Sequence, residues 1–196
     1  MSRLLFARLA PLFSLLALVG SASLSHAAQY NDRLINLSSR ARAGTGDNAL
    51  IAGFVIGSGS EKKVLIRAAG PSLAQFGLTG VLANPKLEVF DSRGLKVAEN
   101  DDWSVFSGGP VATAADFAAA GAFGFSSPTS GDSAIMATLA PGGYTVKVSG
   151  DGAATGVALV EVYDVSGAAQ LMNLSTRAQV QTGSQIVISG LVIAPG

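Results

Sequence analysis

A stretch of 24 residues near the start of the chain returns near its end, and this recurrence constrains the fold more than any other feature. Leu34-Ile-Asn-Leu-Ser-Ser-Arg-Ala41 comes back as Leu171-Met-Asn-Leu-Ser-Thr-Arg-Ala178, Thr45-Gly46 as Thr182-Gly183, and Ile51-Ala-Gly-Phe-Val-Ile56 as Ile188-Ser-Gly-Leu-Val-Ile193, always at an offset of 137 residues. From Arg33 to Ile56, 12 of 24 positions are identical, too many for chance. Two organisations accommodate the repeat. Either residues 28–169 form one unit and residues 170–196 open a second copy in a truncated array, the preferred reading, or residues 170–196 supply closing strands to the first unit's sheets. On either organisation, residues 186–193 are apolar enough to need cover, so residues 171–193 are expected to pair within the first unit's sheets.

Between the two copies, short runs of β-branched residues alternate with glycine-rich turns, the pattern of an all-β sandwich or barrel. Strands are expected at residues 34–38, 50–57, 64–68, 87–90, 95–98, 134–139, 144–149, 157–163, 171–176 and 186–193. Asp91-Ser92-Arg93-Gly94 predicts a hairpin, because Asp opens such a turn and Gly supplies the positive φ that closes it. Tyr144, Val146 and Val148 share one face while Thr145 and Lys147 take the other, so that strand is expected to be half buried. Residues 157–163 are apolar on both faces apart from Glu161, as a central strand covered on both sides would be. Helix has little room, with about two turns each at residues 72–76 and 112–120. The fold class is therefore all-β: a Gly-rich antiparallel β-sandwich, jelly-roll-like or barrel-like in the alternative, with one or two short helices.

The first 27 residues are read as a secretory signal peptide. Arg3 and Arg8 give a basic start, residues 9–19 an apolar run, and Ser25-His26-Ala27 a small-x-small cleavage site. The mature chain then begins at Ala28, with no transmembrane segment, because its longest apolar run, residues 49–56, is too short to span a bilayer. The expected location is secreted, extracellular or on the cell surface, with the periplasm as an alternative. Arg3 and Arg8 lie in the leader, which leaves 11 basic against 13 acidic residues and no basic face for nucleic acid. The chain contains no cysteine, and its single histidine, His26, lies in the leader.

The residues also carry a resemblance. Leu34-Ile-Asn-Leu-Ser-x-x-Ala41, Gly44-Thr-Gly-Asp-Asn48, Val64-Leu-Ile-Arg-Ala-x-Gly-Pro-Ser-Leu73, Asn100-Asp-Asp-Trp103, Leu139-Ala-Pro-Gly-Gly-Tyr-Thr145 and Thr155-Gly-Val-Ala-Leu-Val-Glu-Val-Tyr-Asp164 resemble the β-rich repeat units of large exported or cell-surface bacterial proteins. Residues 133–164 are also similar to the β-sandwich modules appended to secreted peptidases. The resemblance implies a non-catalytic extracellular module with no defined ligand, whose partners are other copies of the module or components of the cell surface.

Without histidine or cysteine, the mature chain cannot build a Ser/His/Asp triad, a Cys/His pair or a histidine- or thiolate-ligated metal site. This points to an interaction module rather than an enzyme. Gly44-Thr-Gly46-Asp-Asn-Ala49 fits the dinucleotide-binding glycine pattern, but a strand follows where a helix is required, so it is read as a hairpin turn. Ser72 has no base to activate it. Three candidate positions remain. Asn100, Asp101 and Asp102 offer adjacent oxygen ligands for Ca2+, with Asp132 or Asp164 completing the shell; the alternative is an acidic turn in which Asn100 and Asp101 bond their own backbone. Trp103, the only tryptophan, is either a stacking platform for a sugar ring, which with Tyr144 makes polysaccharide a candidate partner, or an edge-packed core residue. Arg40 and Arg177 occupy the same place in both copies, as a binding position or as a repeated salt bridge or carbonyl contact.

Overall fold

All ten expected strands form. The structure, a computed structural model, describes residues 33–105 and 111–195, apart from the side chain of Ser184. The leader, residues 1–27, lies outside the described residues. In chain order the strands are β1 (Arg33–Ala43), β2 (Leu50–Ile56), β3 (Lys62–Ala69), β4 (Pro85–Asp91), β5 (Lys96–Asn100), β6 (Ser133–Leu139), β7 (Gly142–Gly150), β8 (Gly156–Ser166), β9 (Leu171–Arg177) and β10 (Ile188–Ala194). One short helix, α1 (Ala114–Ala119), starts at a capping box in which Thr113 and Asp116 satisfy each other's backbone N–H groups. Residues 71–76 form a short 3-10 helix, the second of the expected helical segments. Pro71 opens it, Gly77 closes it in the left-handed region, and the buried Asp132 carboxylate accepts from Gly70 N–H (2.7 Å) and Ser72 N–H (3.2 Å).

The strands run antiparallel in the order β5-β4-β7-β2-β9-β1-β8-β3-β6, with β10 on the other edge of β1. Only Leu34 opposite Leu171 joins β9 to β1, so the sheet reads as two five-stranded halves, β5-β4-β7-β2-β9 and β10-β1-β8-β3-β6, wrapped into a nearly closed barrel. Alternation places Leu37, Phe54, Val64, Val146 and Val160 inside, where both halves share one core. The outer face of β8 is covered as well. There Tyr163 packs with Leu65 and Met136 beneath Trp103 and Phe117, so this strand is apolar on both sides as expected. The β4–β5 hairpin closes at Asp91, which accepts from the N–H groups of Arg93 (2.9 Å) and Leu95 (3.0 Å).

One expectation needs correction. The segment 44–49 is a turn, but not a hairpin turn, because β1 and β2 do not pair with each other. β1 pairs with β8 and β10, and β2 with β7 and β9. Each strand of the first copy thus takes a strand of the second copy on one edge and a strand of the intervening unit on the other.

Candidate interaction surface

The pairing between the copies follows an internal two-fold relation. Arg40 lies opposite Ile188, and Ile51 lies opposite Arg177; moving each member of the first pair by the 137-residue offset into the other copy generates the second. Ser38 opposite Gly190 and Gly53 opposite Ser175 are related in the same way, as are Leu37 opposite Leu191 and Phe54 opposite Leu174. Two pairs are their own counterparts and straddle the axis: Leu34 with Leu171, and Arg42 with Gln179. An irregularity falls within one residue of the same place in both ladders, at Ile35 in one and at Asn173, opposite Phe54 and Val55, in the other, where Asn173 takes φ 58°. Asparagine tolerates that conformation better than most residues.

This geometry explains residues the repeat preserves. A Cβ on Gly53 would run into the Ser175 hydroxyl, and one on Gly190 would come within 3.1 Å of the Ser38 hydroxyl, so glycine recurs where the other copy's serine crosses it. The Ser39 and Ser189 hydroxyls lie 3.0 Å apart across the β1–β10 ladder. Arg40 and Arg177 make no ion pair among the described residues; each lies opposite an isoleucine of the other copy at the equivalent step of the ladder.

The other sequence candidates fall in structural positions. Trp103 is buried, its ring centroid 5.2 Å from that of Phe117 and 5.7 Å from that of Phe125, and its indole N–H donates to Ser127 O (3.2 Å). It is core, and it is not presented to a sugar. Asn100 is buried too: its Oδ1 accepts from Ala134 N–H (3.0 Å) and its Nδ2 donates to Asp102 O (3.0 Å), the self-bonded turn. Asp101 and Asp102 are exposed, and no cluster of three metal-ligating side chains occurs among the described residues. Asp132 is committed to the 71–76 turn and Asp164 to Lys62 (2.6 Å), so neither turns towards Asn100. Tyr144 stacks on Phe54 at 5.5 Å and donates to Ala140 O (2.8 Å) at the rim of a groove of about 680 Å³ along the seam between β5 and β6.

One buried charged cluster was missed in the sequence. Arg67, fully buried on the outer face of β3, holds its guanidinium 4.4, 4.5 and 4.2 Å from the ring centroids of Phe117, Phe123 and Phe125. Glu161 on the neighbouring strand approaches it at 3.7 Å and accepts from the Tyr163 hydroxyl at 2.7 Å. Burial lowers the Arg67 pKa, with Glu161 opposing, and burial raises that of Glu161, with Arg67 opposing. The same burial, reinforced by the Glu161 charge, pushes the Tyr163 phenol upward. The available signal was a lone basic residue and a lone acidic residue, each inside an otherwise apolar strand.

Compared with known proteins, the chain matches no family model and no curated protein. Among the described residues no helix is long and apolar enough to cross a membrane.

Proposed function

We propose that this chain is a non-catalytic structural and interaction module of an exported bacterial protein, working at the cell surface or in the extracellular space. The observation that carries the reading is the pairing between copies. Two strands of one repeat are hydrogen-bonded into the sheets of the other, which is how modules are joined through backbone rather than through a ligand pocket. Further support comes from the signal-peptide pattern of residues 1–27, the resemblance to exported repeat units, and a mature sequence lacking imidazole and thiol. The alternative, a polysaccharide-binding accessory domain, loses its principal residue with Trp103 in the core and rests on Tyr144 alone.

Two measurements test the proposal. Protein recovered from the medium or periplasm should begin at Ala28, and it should pass through insoluble polysaccharides unretained. An exported pool with Met1 intact would refute the leader. Retention that a soluble form of the same polymer competes away would establish the polymer-binding alternative.

A further inference from the structure

The two copies of the repeat are alike in sequence and in mutual pairing, but not in cover. Phe54 is 2% exposed and its counterpart Leu191 is 57% exposed; Ile56 is 1% exposed and Ile193 56%. Ala49 is 1% exposed and Ile186 41%. The difference has a defined source. In the first copy, β1 carries β8 on its second edge and β2 carries β7, and the core of residues 62–166 closes over both. In the second copy, among the described residues, β10 pairs with β1 alone and β9 with β2 plus the single Leu34 position. Each therefore presents one unpaired edge, and β10 an apolar surface besides, a combination that unpartnered monomers avoid.

We infer that the outer edges of β9 and β10, with the apolar face of β10, are the docking site for a second β-unit of the same kind as residues 62–166, carried in tandem on the same polypeptide. The inference deepens the proposed module function by naming its partner. The two-fold register fixes how that unit sits. Its counterpart of β7 pairs with the free edge of β10, and its counterpart of β8 with the free edge of β9, as β7 and β8 pair with β2 and β1. The result is two sheets that each run unbroken through both units, β5-β4-β7-β2-β9 into the second and β6-β3-β8-β1-β10 into the second. Because a two-fold interface is self-complementary, it closes after two units. An array of this kind is thus built from pairs rather than from an open-ended stack. A second copy of this 196-residue chain fits less well, since its own β7 and β8 edges are already occupied by β2 and β1.

The offset also dictates the test, because Gly196 stands where Gly59 stands in the first copy. Residues 60–166 are appended directly after Gly196, and hydrogen exchange is followed in the 196-residue chain and in the extended one. The outward-facing amides of β10 exchange freely in the former and slow by about a hundredfold or more in the latter, the protection of a cooperatively opening strand. Leu191→Asp, at an exposed position, leaves the 196-residue chain folded and abolishes protection of the appended unit; Leu95→Asp, on the β4–β5 hairpin and equally exposed, also leaves the chain folded but does not remove that protection. The inference is overturned if the appended residues exchange as coil, if they fold while β10 stays unprotected, or if Leu191→Asp leaves them protected. It is also overturned if the 196-residue chain is a dimer that Leu191→Asp dissociates, which would make a second copy the occupant. None of these outcomes bears on polysaccharide retention or export, so failure here and failure of the module reading are separate results.

Discussion

Replacing Arg67 by methionine removes a charge while nearly conserving volume, and leaves Glu161 buried without its counter-ion. Arg67 is wholly inaccessible, its guanidinium is enclosed by three phenylalanine rings, and Glu161 is the carboxylate facing it at 3.7 Å. Breaking one partner of such a pair costs about 3–5 kcal/mol. In a domain of this size each kcal/mol moves the melting temperature by roughly 2–4 °C, so a loss of about 6–20 °C is expected in a calorimetric or circular-dichroism melt. The loss depends on pH. Burial already raises the folded-state pKa of Glu161 above its ordinary 4.5, and without Arg67 to oppose it the rise is greater. A carboxyl with a raised folded pKa contributes most below its unfolded value and loses that contribution as pH rises through the folded one. The Arg67→Met penalty should therefore be smaller near pH 4.5 than at pH 7.5. Arg67→Met/Glu161→Gln should recover much of the stability, because an uncharged pair has no buried ion to compensate. A single-variant loss below about 1 kcal/mol, or a double variant as unstable as the two losses summed, would refute a charge-coupled cage.

Asn100→Ala strips the acceptor from the buried Ala134 N–H and should cost about 1–3 kcal/mol in thermal melts, equally with and without millimolar calcium. Glu88 is held below the ordinary carboxylate range: burial raises its pKa, but the hydrogen bond and charge of Lys147 outweigh that, with Lys96 and Lys86 assisting. Its contribution is present above pH 4.5 and lost as pH falls through the folded value, so Glu88→Gln should flatten the acid limb of a stability-against-pH curve. Deleting everything after Asp164 uncovers the second edges of β1 and β2, and the truncated chain should aggregate or melt well below the full one in light-scattering and thermal assays.

Strand positions were legible because alternation and turn chemistry are local. The Asp91–Gly94 hairpin, the half-buried face of Tyr144, Val146 and Val148, and the doubly covered 157–163 run can each be read from a few adjacent residues. Pairing partners were less legible, because the edge a strand offers depends on residues more than a hundred positions away. Residues 44–49 look locally like a hairpin turn, yet β1 and β2 are drawn apart by β8, β10, β7 and β9. The repeat did carry the missing information. Gly53 with Ser175 and Gly190 with Ser38 are the marks of strands crossing between copies, although two similar segments leave open which strand meets which. Trp103 was ambiguous for a different reason. Its neighbours Phe117, on α1, and Phe125, in the loop beyond it, lie more than ten residues away, and nothing beside it in sequence shows that its ring is covered.

The pairing of the second copy with the first is tested most directly by a covalent trap, and the chain suits one because it contains no cysteine. Ser39 and Ser189 face each other across the β1–β10 ladder with hydroxyls 3.0 Å apart, and directly opposed positions in antiparallel strands lie within the Cα separation a disulfide spans. Ser39→Cys/Ser189→Cys should oxidise quantitatively to an intramolecular disulfide, seen as faster migration on a non-reducing gel and a single monomeric mass. Free thiols that persist under oxidation, or cross-links only between chains, would contradict the exchange of strands between the two copies.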